Sequence, residues 1–368
     1  MDYFLTETQK SIRELARKIA AEKIRPVRAE LDEASEFPGE ILEEFARANL
    51  SGIFIPEEYG GAGAGCLGLC LAIEEIARVC AGVCTSYAAT ALGAMPILVA
   101  GSEEQKQKYL PDVASGKALA AFGLTEANAG SDAAGIETTA VEDGDCYVLN
   151  GRKQWITNAG EAQIYTIFAM TDKSRGSRGA TAIIVEKDTP GMTFGRKENK
   201  MGIRASLQRE IFFEDCRVPK QNVIGREGLG FVVAMKTLDS TRPGIGAQAV
   251  GLAQGAFDEA IAHARERKQF GTSITSFQAI QHMLADMAIQ IEAARALVYA
   301  TARMIDAGSK NVSKESAMAK VFASDMAMSV TTDAVQVMGG YGYMKEYPVE
   351  KMMRDAKITQ IYEGTNQI

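Results

Sequence analysis

Apolar residues recur with two different periods along this chain, and the changes of period divide it into three blocks. Near the start, Ile12, Leu15, Ala16, Ile19 and Ala20 repeat at helical spacing behind the capping box Thr6-x-x-Gln9. Pro26 and Phe37-Pro38 interrupt, and Ile41, Leu42, Phe45 and Ala46 form a second stripe. Ser102-x-x-Gln105 is a second capping box, opening a short helix expected to stop near Pro111. From about Leu119 the period falls toward two. Short strands are expected at 146–149, 152–157, 164–170, 180–186, 192–196 and 210–214, with Asn150-Gly151 as the type I′ turn of a hairpin and Pro219 closing the block. Beyond Gly230 long helices are expected over 246–268, 277–307 and 313–338, the last capped at Gly339-Gly340. The predicted order is an N-terminal helical domain over 1–118, a middle antiparallel β domain over 119–226 and a C-terminal helical bundle over 227–368, an α+β fold.

Composition narrows the functional classes. The 368 residues are 46% hydrophobic and 24% charged, enough for two or three packed subdomains, and the net charge of −7 disfavours nucleic acid as a partner. No apolar run is read as approaching the roughly 20 residues that span a bilayer, so no membrane insertion is expected. Met1-Asp2-Tyr3-Phe4 carries no basic leader followed by an apolar stretch, and a cytoplasmic protein is expected. Six cysteines include two Cys-x-x-x-Cys pairs, Cys66/Cys70 and Cys80/Cys84, each one helical turn apart. With only His263 and His282 to join them, they read as small hydrophobes in a buried helix, and no metal site is expected. The same shortage of histidine speaks against Ser-His and Cys-His nucleophiles. Gly63-x-Gly-x-x-Gly68 lacks a strand before it, so it is read as a loop and not as a dinucleotide fingerprint.

Several segments carry candidate chemistry. Near the C-terminus, Glu363 stands between Tyr362 and Gly364 at the end of an apolar helical stretch. A carboxylate among apolar neighbours has its charged form disfavoured and becomes a better proton acceptor near neutrality. Read alone, the segment is a helix C-terminus with Gly364 as its cap. Thr125 to Asp132 combines small residues with the hydroxyls of Thr125 and Ser131, and read alone is a Gly/Asn-rich loop. Trp155, the single tryptophan, reads as a hairpin core residue, Arg267-Lys-Gln-Phe270 as cations at a helix end, and Asp239-Ser-Thr-Arg242 as a solvated pair beginning a helix.

Taken in order, Phe122-Gly-Leu-Thr-Glu-Ala-Asn-Ala-Gly-Ser-Asp132, Trp155-Ile-Thr-Asn158, Glu266-Arg-Lys-Gln-Phe-Gly271, Gln336-Val-Met-Gly-Gly-Tyr-Gly342, Arg354-Asp-Ala-Lys357 and the Glu363 segment give the chain its character. In that order and spacing it resembles the acyl-CoA dehydrogenase family, from about Phe4 to Ile368. The resemblance implies a helical, β and four-helix-bundle architecture with FAD between the β domain and the bundle. It implies that Phe122, Leu124, Thr125, Gly130, Ser131, Trp155, Ile156 and Thr157 line the flavin, Thr157 near N5, joined by Thr365 and Gln367. Arg267, Gln269, Phe270, Gln278, Gln336, Gly339 and Gly340 would hold the FAD of a neighbouring subunit, which implies a homotetramer built as a dimer of dimers. Ser131, Asp239, Arg242, Tyr362 and Gly364 would contact acyl-CoA.

The implied reaction is α,β-desaturation of a short- to medium-chain acyl-CoA, with Glu363 as the base and electrons leaving to an electron-transfer flavoprotein. Some relatives carry the base at the place of Thr241, which cannot serve. The segment 85–96, with Ala88, Ala89, Ala91 and Gly93, is expected to line the acyl end of the pocket, and it carries no arginine of the kind that holds a distal carboxylate in glutaryl-type enzymes. The enoyl-CoA reductase direction, branched or cyclic substrates, an oxidase using O₂ and a non-catalytic scaffold remain alternatives. Relatives usually continue beyond Gln367-Ile368, and the sequence alone leaves open whether this chain is trimmed there.

Overall fold

The computed structural model describes residues 3–368, so Met1 and Asp2 of the stretch searched for a leader lie outside the described residues. The chain begins with helices α1 (Glu7–Ile19), α2 (Arg28–Ala34), α3 (Gly39–Arg47), α4 (Gly65–Ala77), α5 (Ala81–Ala100) and α6 (Glu103–Ala114). Both capping boxes form: Thr6 and Ser102 each accept from the backbone N–H three residues on, and Gln9 and Gln105 each accept from the cap residue's N–H. Pro111 does not stop α6, because Leu110, Val113 and Ala114 are buried against the core and hold the last turn in place. Helix α5 corrects the reading of apolar runs. It is 20 residues long with mean hydropathy 1.6, enough by length and composition to cross a bilayer, yet 72% of that stretch is buried inside the protein.

The sheet contains β1 (Ala120–Gly123), β2 (Thr139–Asp143), β3 (Cys146–Thr157), β4 (Ile164–Met170), β5 (Ala180–Glu186), β6 (Met192–Phe194), β7 (Gln208–Pro219) and β8 (Val223–Ile224). Its order is β6-β7-β3-β2-β4-β5-β8, with β1 paired to β4. It is mixed, not antiparallel as expected. β1 runs parallel to β4 from Ala120↔Ile164 to Gly123↔Ile167, and β2 meets β4 in parallel at Thr139↔Met170. The long connection from β1 through β2 and β3 supplies the crossover that parallel pairing needs.

The hairpin expected at Asn150-Gly151 is absent, because β3 runs straight through it. The turn lies earlier, at Gly144 (φ 59°), between Asp143 and Cys146. Asn150 instead faces a bulge on β7: its side chain bonds the N–H and carboxylate of Asp215, whose φ is 47°. A second irregularity follows, since Lys153 pairs with Ile211 but Ile156 pairs with Arg209. The extra residue falls on β3, where Trp155 has φ 58°. A bulge re-aims a side chain, and this one turns Trp155 out of the sheet so that it is 55% exposed, not a core residue.

The last block holds α7 (Gly230–Glu266), α8 (Gln278–Asp306), α9 (Ser313–Met338) and α10 (Val349–Thr359). Helix α7 starts 16 residues before the expected 246, so Asp239–Arg242 lie inside it. Pro243 is tolerated there because the Asp239 carbonyl, which it cannot bond, accepts from Ser316 Oγ at 2.6 Å. Gly65 opens α4, so only the first half of Gly63–Gly68 is loop. No strand precedes it, and the Asp306 carboxylate accepts from the N–H of Cys66 (2.6 Å) and Leu67 (3.0 Å) where a phosphate would otherwise sit. All six cysteines are free thiols, and the described residues contain no group of three or more His, Cys, Asp or Glu able to hold a metal.

Helices α4 and α7 approach backbone to backbone at Gly251, where a Cβ would lie 2.1 Å from the Glu74 carbonyl oxygen. Gly251→Ala is therefore expected to destabilise the fold by about 3 kcal/mol. Urea unfolding of the variant would check this, and a loss within about 0.5 kcal/mol would show that the two helices can part freely.

Candidate active site

The α10 helix ends at Thr359, and Glu363 lies beyond it in a turn rather than at the helix end expected. Glu363 has φ 50°, the left-handed region that a non-glycine residue rarely occupies. Two residues of α7 hold it. Thr241 Oγ1 donates to Glu363 Oε2 at 2.8 Å, and Arg242 Nε donates to the Glu363 carbonyl at 3.1 Å. Asp239 braces Arg242 from behind at 3.3 Å and accepts from Ser313. It is not among the residues that line the cavity, and its observed role in the structure is to support Arg242.

Glu363 faces a cavity of about 390 Å3. One wall is the β1 end and the loop after it, through Phe122, Leu124, Thr125, Gly130 and Ser131. Trp155, Ile156 and Thr157 line it from β3, and Arg242, Tyr362, Gly364 and Thr365 from the bundle side. Lys153 Nζ is fully buried and donates to the Leu124 carbonyl (3.1 Å) and Glu126 Oε1 (2.6 Å), tying the loop to β3. Gln208 Nε2 donates to Thr157 Oγ1 at 3.1 Å, which leaves the Thr157 hydroxyl proton free for the cavity. The apolar end is formed by Ala88, Ala89 and Leu92 of α5 with Met235, Leu238 and Ile245 of α7. Ala91 and Gly93 do not line it; Gly93 packs on β1, where its Cβ would sit 2.4 Å from the Ala121 nitrogen. Beside this end, Tyr362 Oη donates to Gln248 Oε1 (2.6 Å), and Gln248 Nε2 donates to Thr85 Oγ1 (2.8 Å).

A second recess collects Arg267, Gln269, Gly339 and Gly340, with Arg267 stacked 5.2 Å from the Tyr341 ring centre. Phe270 is 96% exposed, and Gln278, Gln336 and Gln367 also lie on the surface, in neither hollow. Sequence reasoning missed Lys153 and Gln248, and also Lys320, whose Nζ donates to the Gly364 carbonyl at 2.7 Å. The signal for Lys320 was a cation on the apolar stripe of Ala319, Ala323 and Ala327, which only a buried partner explains.

Burial pushes the Glu363 carboxyl up to about 7, against the opposing pull of Thr241, Arg242 and Lys320. With an ordinary value of 4.5, the folded chain binds the proton more tightly than the unfolded chain between these limits. Stability from this group is therefore full below about pH 4.5 and is lost as pH rises through about 7. Glu363→Gln, which has no proton to lose, is expected to be more stable than the parent at pH 8, by about 2–3 kcal/mol, but not at pH 4. Thermal unfolding at the two pH values tests this, and an equal gain at both would remove the linkage.

Comparison with known proteins identifies the fold that builds this cavity. Three family models match in succession: acyl-CoA dehydrogenase N-terminal domain over 6–117, middle domain over 121–216 and C-terminal domain over 228–368. A short-chain-specific acyl-CoA dehydrogenase of Clostridium acetobutylicum is 50% identical over 370 residues, covering 100% of this chain and 97% of that protein. The structure of butyryl-CoA dehydrogenase from Megasphaera elsdenii superposes with TM-score 0.97 at 48% identity, covering 100% of this chain and 97% of that one. A chain in the structure described as an electron transferring flavoprotein of Acidaminococcus fermentans superposes with TM-score 0.98 at 52% identity, with the same coverage. A helical, mixed-sheet and helical architecture matched along nearly its whole length places this chain in the acyl-CoA dehydrogenase family, flavoprotein oxidoreductases that act on CH–CH bonds.

Proposed function

We propose that this protein desaturates short- to medium-chain acyl-CoA thioesters between the α and β carbons, with FAD as its cofactor and Glu363 as the base. The observation that carries the reading is a desolvated carboxyl with a pKa near 7, aimed into an apolar cavity. The cavity suits a flavin in its own right. Trp155 offers a half-exposed aromatic face, a Cβ on Gly130 would meet only open space, and Thr125, Ser131 and Thr157 offer hydroxyls. FAD, when bound there, supplies the acceptor for the hydride that leaves the β carbon.

The remaining chemistry belongs to the chain. The α-proton of a thioester is weakly acidic, and Glu363 takes it as the C–H bond breaks. Donors at the thioester oxygen are needed for the developing enolate charge, and the main-chain N–H of Glu363 is the donor this reading assigns. Thr241 keeps the carboxylate from turning away, and the apolar end excludes water. The chain-length reading rests on the modest apolar end beside the Gln248, Thr85 and Tyr362 network, whose hydrogen bonds run among these residues and to the Ala81 carbonyl. Arg242 is the single Lys or Arg on the wall, and it is already committed to Asp239 and Glu363, so a distal carboxylate would find no free cation.

The same reading assigns electron delivery to an electron-transfer flavoprotein. It also assigns the Arg267 recess, together with the exposed Phe270, Gln278 and Gln336, to the FAD of a neighbouring subunit in a homotetramer.

Anaerobic flavin bleaching by butyryl-, octanoyl- and glutaryl-CoA tests the reaction. The parent is expected to be reduced readily by the first two and poorly by the third, and Glu363→Gln to retain FAD while losing about 10³-fold in rate. Near-normal reduction of Glu363→Gln would move the base elsewhere. For assembly, Arg267→Ala is expected to lower FAD content and oligomer stability together, since ligand and interface are linked. A monomeric variant with full FAD, by light scattering and absorbance, would overturn that assignment.

A further inference from the structure

One face of α9 grips the turn that carries Glu363, and the reaction described above uses none of its side chains. Lys320 is 2% exposed, and its Nζ donates to the Gly364 carbonyl and to Asn366 Oδ1, each at 2.7 Å. Asn366 Nδ2 in turn donates to Ser324 Oγ and Asp325 Oδ1, each at 2.8 Å. Gln360 Nε2 closes the ring of contacts by donating to the same Asp325 oxygen at 2.5 Å. A buried ammonium is unfavourable without acceptors, and two of its three protons are used on this one turn. Arg242 takes the Glu363 carbonyl and Lys320 takes the next one, so two successive peptide units are held from two different helices. The turn needs such a hold, because the φ of 50° at Glu363 is intrinsically disfavoured.

From these contacts, and resting on the reading of Glu363 as the base, we propose that Lys320 is a positioning residue for the reaction. Its ammonium clamps Gly364 and Asn366 to α9 and so fixes the left-handed turn that aims the Glu363 carboxylate at the α carbon of the substrate. The charged groups facing this position are Glu363 and Arg242 on one side and Asp325 on α9 itself. Burial draws the Lys320 ammonium down to about 8, with Glu363 opposing, Arg242 assisting and Asp325 opposing. The ammonium in return favours the ionised form of Glu363, so its removal is expected to raise the pKa of the base.

The test compares the Lys320→Met holoenzyme with the parent, the methionine keeping most of the stem's volume without its donors. Turnover of butyryl-CoA with an artificial electron acceptor that reoxidises the flavin is expected to show kcat lowered about 10²-fold with KM within about threefold of the parent. The acid limb of kcat/KM should move to higher pH, and amide hydrogen exchange over 360–366 should accelerate while the interior of α9 stays protected. A parent-like kcat overturns the proposal, as does a lowered kcat with the acid limb and the exchange of 360–366 both unmoved. Should Lys320→Met fail to fold or to hold flavin, Asn366→Ala opens the same clamp from its outer side. It is expected to lower kcat several-fold and to speed exchange in the same segment, and parent-like values for both overturn the proposal. Turnover retained by Glu363→Gln would remove the base assignment alone, because the exchange measurement still reports whether Lys320 holds the turn.

Discussion

A carboxylate kept partly out of water is the constraint around which this molecule is arranged. Desolvation raises the proton affinity of Glu363, and every charged neighbour pulls it back down. The site lies between those tendencies because one hydroxyl touches the carboxylate, while Arg242 and Lys320 bond the backbone carbonyls around it and the side chains of Asp239 and Asn366. A direct ion pair to either cation would hold the carboxyl ionised far below neutrality and cancel the effect of burial. Gripping the carbonyls instead orients the group without neutralising it.

That arrangement demands long, rigid helices. Thr241 and Arg242 can reach Glu363 because α7 continues through Pro243, and it continues because Ser316 of α9 satisfies the carbonyl the proline strands. The same α9 then presents Lys320 one turn further along. Close backbone approach at Gly251 locks α7 against α4, so the helix that holds Glu363 is tied to the N-terminal block. The opposite wall is set by a different device. A bulge on β3 turns Trp155 into the cavity, and the buried Lys153–Glu126 pair ties the Thr125 loop to the same strand.

Family membership and reaction class were legible because the chemistry sits in short contiguous segments. Phe122, Leu124, Thr125, Gly130 and Ser131 come from one short stretch, Trp155 to Thr157 and Tyr362 to Thr365 from two more, so a linear reading captured most of the wall. The helical periodicity of α9 and the strands β4 and β5 were legible for a related reason: their apolar pattern depends on neighbours close in sequence. Where local signals pointed two ways they misled. Asn150-Gly151 has the chemistry of a turn, but pairing with β7 on one side and β2 on the other outweighs it.

The sequence by itself determined the family and the order of helical and sheet blocks, and it carries the proposed base, Glu363, in a run of residues adjacent along the chain. Tertiary structure alone decided which strands run parallel, that Asp239 stands behind Arg242, that Ala91 and Gly93 do not line the cavity, and that Lys320 bonds the turn carrying Glu363. The contacts that bring Lys320 to Gly364 and Arg242 to Glu363 join residues 44 and 121 positions apart. No periodicity or motif encodes such a pairing, because it exists only once the helices have packed.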